Sequence, residues 1–174
     1  MMENLLYLGD NLDVLRHRIA DESVDLVYLD PPFNSRRSYA VRPTGRDGLR
    51  AQVHVEAFDD TWRWDEDAAA AYDDLLEAGP ERVAQAMRGF RTLVGETDLL
   101  AYLTMMAPRL VELRRVLKPN GSLYLHCDPG ASAALRLLLE AVFGNEQFRN
   151  EIVWHYTGGG RSKRYFSRKH DVIF

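Results

Sequence analysis

Apolar positions along the chain fall into two rhythms, short continuous runs and longer stripes at helical spacing. Leu5 to Leu8 is a short apolar run closed by Gly9-Asp10, which predicts a buried strand ending in a turn. Asp10 can then cap a helix whose apolar positions Leu12, Leu15 and Ile19 share one face. Val24 to Leu29 predicts a second buried strand, and it ends abruptly at Asp30-Pro31-Pro32. Two successive prolines can neither donate to a ladder nor continue a helix, so the chain must leave the sheet there.

From Asn34 to Gly95 the pattern is less regular, and Arg36 to Gly48 reads as a polar loop. Asp65 to Ala78 and Glu81 to Leu93 predict helices separated by Gly79-Pro80. Glu96 to Leu117 carries Leu99, Leu103, Leu110, Leu113 and Leu117 on one stripe and predicts a long helix despite Pro108. Lys118-Pro119-Asn120-Gly121 then stops it and turns into a strand from Ser122 to Cys127. Pro129 and Gly130 open another helix through Val142, which Gly144 stops. Glu151 to Tyr156 reads as a strand, Thr157 to Lys169 as a glycine-rich basic loop, and Val172 to Phe174 as the start of a further strand.

Strands alternating with helices predict an α/β domain, doubly wound, with an open, mostly parallel sheet and helices on both faces. The whole of 1–174 reads as that one domain, with 34–95 a candidate insertion for target recognition. Because the chain stops inside an apolar run, the domain is expected to be incomplete at its C-terminal side.

The 46% hydrophobic and 28% charged fractions are ordinary for a soluble globular protein, and 174 residues are enough to bury a real core. No apolar run approaches a membrane span and no signal peptide is visible, so a cytoplasmic location is expected. The single cysteine, Cys127, excludes a disulfide framework and counts against a multi-cysteine zinc site. The net charge of −4 does not suit bulk attraction to nucleic acid, but its distribution is polar. Glu56 to Glu81 is strongly acidic, whereas Arg149, Arg161, Lys163, Arg164, Arg168 and Lys169 gather near the other end. One face presented to a polyanion would look like this; so would two solvated surfaces.

Ligands of open α/β sheets bind beyond the carboxyl ends of the strands, where two acids, Asp10 and Asp30, are expected. The carbonyl of Pro31 has no ladder role, so with the Asp30 carboxylate it could accept both N–H groups of an exocyclic amine. Pro32 stiffens the turn, and Phe33 offers a flat face on which an extruded base could stack.

Asp30-Pro31-Pro32-Phe33, following VDLVYLD, resembles the catalytic motif of DNA amino-methyltransferases that modify adenine. The resemblance extends through LYLGDNLDVL around Asp10, LVELRRVLKPNGSLYLHCDP from Leu110 to Pro129, and NEIVWHYTGGGRSKRYFSRKHDVIF at the end. It implies a Rossmann-like methyltransferase sheet that takes S-adenosylmethionine as cofactor and double-stranded DNA as substrate. Asp30 and the Pro31 carbonyl would hold the adenine amine, Phe33 would stack the flipped base, and Asp10, with Asp30, would contact the cofactor. No F-x-G-x-G cofactor loop is present, and only 29 residues precede Asp30. The order therefore resembles the permuted class, in which the catalytic motif comes first and the cofactor loop later. A restriction-modification role follows, with a restriction or specificity subunit, or a second copy of the chain, as conceivable protein partners.

Three readings stay open. The cytosine amino group presents the same geometry as that of adenine, although cytosine enzymes more often carry Ser at the position of Asp30. A DNA-binding fragment without catalysis is the second, and an RNA methyltransferase the third. His126, Cys127 and Asp128 are consecutive strand residues on alternating faces, a poor metal-ligand set, so no metal is expected. Gly158-Gly159-Gly160 lacks the Lys-Ser/Thr ending of a P-loop. Arg161, Lys163, Arg164, Arg168 and Lys169 are instead the expected DNA-backbone contacts. Trp62 and Trp64 read as core anchors.

Overall fold

A computed structural model describes residues 4–33, the backbone of 37–41 and 55–60, residues 61–157, Arg164, Phe166 and 169–174. Helix α1 (Asn11–Arg18) leads into strand β1 (Val24–Leu29), and a two-stranded antiparallel ribbon follows, β2 (Arg37–Val41) with β3 (Val55–Asp60). Three helices come next: α2 (Glu66–Ala78), α3 (Glu81–Val94) and α4 (Asp98–Val116). Strand β4 (Leu117–Cys127), helix α5 (Ser132–Phe143), and strands β5 (Ile152–His155) and β6 (His170–Ile173) complete the order.

Local chemistry starts the helices where the sequence reading expected them. Asp10 caps α1 by accepting from the Leu12 N–H at 2.8 Å, and Asp65 caps α2 by accepting from Ala68 at 2.9 Å. The α4 stripe is deeply buried: Leu100, Leu103, Met106 and Leu110 are fully enclosed. They meet Tyr72 of α2, Met87 of α3, Leu135 and Leu138 of α5, and Leu125 of β4 in one core. Burying each such side chain contributes roughly 1.5–3 kcal/mol. Trp62 and Trp64 pack against this core, Trp64 edge-on to Tyr72, in keeping with their reading as anchors.

The sheet order is β1-β4-β6-β5, and β1 pairs with β4 in parallel. β4 with β6 and β6 with β5 are antiparallel, so the described sheet is mixed rather than mostly parallel. β5 returns alongside β6 with Ile152 opposite Ile173 and His155 opposite His170, the pairing of a hairpin rather than of a parallel crossover. Val27, Leu29, Leu123, Leu125 and Cys127 face the helices, whereas Leu26, Tyr28 and Tyr124 on the other face are exposed. Among the described residues the helices pack together on the first of these faces, not on both.

Three further expectations are corrected. Leu5 to Leu8 forms no strand, and Leu6 and Leu8 are about nine-tenths exposed, because no described strand pairs with the run. Within Arg36 to Gly48, read as loop, residues 37–41 form β2, whose partner β3 lies beyond the stretch that periodicity could read. The helix α4 does stop before Lys118-Pro119-Asn120-Gly121, but β4 begins at Leu117 rather than Ser122, and these four residues bulge within it: Val24 is opposite Leu117, and Leu26 is already opposite Ser122. Of the segment 34–95, α2 and α3 belong to the common core, while β2 and β3 form a sheet of their own.

Candidate active site

β1 and β4 run in parallel with Leu29 opposite Leu125, so the next residues, Asp30 and His126, emerge side by side at the carboxyl ends of both strands. His126 Nδ1 lies 3.2 Å from Asp30 Oδ1, and its Nε2 lies 3.3 Å from Asp171 Oδ2 on β6. The Tyr156 hydroxyl reaches the other oxygen of Asp171 at 3.5 Å. Desolvation, followed by the Asp171 carboxylate, holds the Tyr156 phenol above its ordinary value. The Phe33 ring stands edge-on to the His126 imidazole, with centroids 4.9 Å apart and planes at 71°.

Exposure divides these groups by role. The Asp30 side chain is 62% exposed, whereas His126 and Asp171 are 19% and 22% exposed. Asp30 can therefore meet an incoming molecule while its imidazole neighbour stays under cover. Pro31, Pro32 and Phe33 are half-buried where the chain leaves β1. Beside Phe33 opens a cavity of about 580 Å³, bounded by Thr97, Asp98 and Leu99 at the start of α4 and by Asp128 and Ala131 before α5. Asp128 accepts from the Gly130 and Ala131 N–H groups, both at 3.1 Å, and so shapes that wall.

The second acid is held differently. Gly9 adopts φ 129°, a conformation that suits glycine and turns the chain into the Asp10 cap. Arg109 of α4 places Nη2 2.7 Å and 2.8 Å from the two Asp10 oxygens. Its Nε donates to Asn11 Oδ1 at 2.9 Å and its Nη1 to the Met105 carbonyl at 2.8 Å. Asp10 Oδ1 thus accepts from both Leu12 and Arg109, while Oδ2 keeps capacity for one further donor.

Of the basic residues, Arg164 is exposed and Lys169 is half-buried, with its carbonyl accepting from the Tyr156 N–H at 3.0 Å. Arg161, Lys163 and Arg168, and the three glycines before them, lie outside the described residues. Burial pushes the Cys127 thiol up to about 12, which suits a core side chain rather than a nucleophile. Sequence reasoning missed His126, Asp171 and Arg109 as site residues. The signal for His126 was available: it follows a strand run just as Asp30 does, and pairing the two runs would have joined them.

Residues 24–174 match the family described as DNA methylase, of N6 and N4 type. The chain is 32% identical over 154 residues to the Mod subunit of the type III restriction-modification enzyme StyLTI of Salmonella typhimurium, an overlap covering 87% of this chain and 20% of that protein. It is 29% identical over 176 residues to the EcoPI Mod subunit of Escherichia phage P1, covering 99% and 24%. With the type II methyltransferase M.EcaI of Enterobacter cloacae it shares 23% identity over 171 residues, covering 98% and 28%. The chain thus spans about a fifth to a quarter of the length of these two Mod subunits.

Proposed function

This chain belongs to the N6/N4 DNA methylase family, and from that we propose that it carries the catalytic motif of an S-adenosylmethionine-dependent DNA methyltransferase acting on the N6 amine of adenine. The observation that carries the reading is Asp30: a carboxylate at the carboxyl end of a parallel strand pair, with Oδ1 3.2 Å from His126 Nδ1 and the side chain 62% exposed. Its sheet is read as one part of a Rossmann-like, doubly wound methyltransferase sheet.

The chemistry of the available donors and acceptors fits such a cofactor. Adenosine offers hydroxyl and amine donors, for which Asp10 Oδ2 has capacity, and a sulfonium is favoured near exposed carboxylates such as Asp30. S-adenosylmethionine, when bound, supplies an electrophilic methyl group. Asp30 Oδ2 and the Pro31 carbonyl accept the two N–H bonds of the target amine and turn its lone pair outward. Phe33 supports the flat face of the base, and Pro32 stiffens the turn that holds both. Asp30 also stabilises the positive charge that grows on the amine as it reacts, so positioning and electrostatics do the work rather than strong-base chemistry.

Double-stranded DNA is the proposed substrate, held on its backbone by Arg161, Lys163, Arg164, Arg168 and Lys169. Of segment 34–95, whose α2 and α3 belong to the common core, the β2–β3 ribbon is the proposed target-recognition insertion. The relatives named as Mod subunits support a modification role in a restriction-modification system, with a restriction subunit or a second copy as protein partner. Among the described residues no helix is long and apolar enough to cross a membrane.

Incubating the chain with methyl-labelled S-adenosylmethionine and duplex DNA, then identifying the labelled nucleoside by mass spectrometry, tests this reading. N6-methyladenine is expected. N4-methylcytosine would overturn the choice of base, and DNA binding without cofactor binding in a calorimeter would favour a non-catalytic DNA-binding fragment.

A further inference from the structure

The catalytic tetrapeptide has an exposed carboxylate on a turn, and an exposed carboxylate is free to rotate. Something must choose its direction. Two side chains of the tetrapeptide touch the same residue: Asp30 through a 3.2 Å contact to Nδ1, and Phe33 through an edge-on ring contact at 4.9 Å. That residue, His126, comes from a different strand, separated from Asp30 by most of the chain, and is itself largely covered. Its far nitrogen is fixed by Asp171 on β6, whose second oxygen the Tyr156 hydroxyl approaches from just beyond β5. Four side chains from the ends of the four sheet strands therefore run in line, Asp30, His126, Asp171 and Tyr156.

We infer that His126 is the positioning residue of the tetrapeptide. As an imidazolium, paired with Asp171 at Nε2, it turns Nδ1–H towards Asp30 Oδ1 3.2 Å away, so that Oδ2 alone is left to accept the target amine, and its ring edge sets the tilt of Phe33. Asp171 serves His126 as a bearing that steadies the imidazole plane. The line also reaches the neck of the basic loop, because the Tyr156 N–H donates to the Lys169 carbonyl where that loop closes. The inference rests on the methyltransferase reading for its consequence, but not for its geometry.

Three variants of the full chain separate the two contacts. Asn places an amide nitrogen near the position of Nδ1, and Gln places one near Nε2. His126→Asn therefore keeps the hold on Asp30 and loses Asp171, His126→Gln does the reverse, and His126→Ala loses both. Two readouts are taken. The first is the ¹³C resonance of the Asp30 carboxyl, which needs no cofactor: it should stay near its wild-type place in H126N and move in H126Q and H126A. The second is single-turnover methyl transfer to a duplex: H126Q and H126A should fall about 100-fold in rate, H126N about 5-fold, with the KM for DNA changed by less than about 2-fold in all three. A residue that merely fills space would accept Asn and Gln equally, so equal rates, or an Asp30 resonance indifferent to all three changes, would overturn the inference. If the wild-type chain transfers no methyl group, the functional reading fails, and the carboxyl resonance still decides whether His126 positions Asp30. Should H126A fail to fold, the two polar variants carry the comparison.

Discussion

Nη2 of Arg109 straddles both carboxylate oxygens of Asp10, at 2.7 and 2.8 Å, and ties the N-terminal turn to the middle of α4. Arg109 is only 16% exposed and Asp10 is 51% exposed, so the pair lies between surface and core, and its value is partly screened. Three of the arginine's nitrogens are used, each on a different partner, and a lysine could satisfy at most part of this set. Arg109→Ala should cost about 1–2 kcal/mol, lowering Tm by about 2–8 °C, and Arg109→Lys should recover less than half of that loss. Thermal melts followed by circular dichroism check this. A Tm that did not fall in R109A would mean that the Gly9-Asp10 turn holds itself.

The same pair marks where sequence reading reached its limit. Asp10 was legible as a cap because capping is local, resolved within the two residues to Leu12. Its partner was not, since Arg109 lies 99 positions away and looks like any polar residue of an amphipathic helix. The helices α2, α3 and α4 and the strand β1 followed from periodicity and punctuation near their ends. Leu5 to Leu8 shows the failure of the same logic: an apolar run becomes a strand only if another strand offers it hydrogen bonds, and the run itself carries no record of that. Strand direction was likewise unreadable until the β5–β6 hairpin was seen. The DPPF turn was legible as four residues at the end of a strand, but the imidazole beside it depends on the register of β1 against β4.

Asp30→Ala should abolish methyl transfer in the assembled enzyme, by about 100-fold or more, while shifting Tm by less than about 1 °C. The separation follows from its exposure: at 62% exposed, Asp30 contributes little packing to lose. Rates from single turnovers and a melt on the same preparation decide it. Undiminished transfer would remove the tetrapeptide from the chemistry altogether.

Cys127 is buried on the helix-facing side of β4, and burial moves its thiol from an ordinary 9.0 to about 12. At pH 8 it should therefore resist iodoacetamide in the folded chain and react readily in denaturant, in a comparison followed by mass spectrometry. The sign for stability follows from the same shift. The folded state holds the proton more tightly than the unfolded one, so this contribution is whole below pH 9 and is lost as pH rises towards 12. Fast alkylation of the native chain at pH 8 would contradict the closed packing around β4.

Phosphate contacts and base capture should separate in their dependence on salt. If Arg164 and Lys169 meet the DNA backbone, each change to Ala should weaken binding to all duplexes alike and reduce the slope of log affinity against log salt by about 1. Asp30→Ala touches no phosphate in this reading and should leave that slope where it was, which makes it the internal control. Fluorescence anisotropy at several salt concentrations, with duplexes of differing sequence, measures both. A slope unchanged in the basic variants would leave the loop as a surface hairpin and move the DNA contacts elsewhere on the chain. A loss confined to one sequence would instead make these residues readers of base edges, since backbone contacts carry no sequence information of their own.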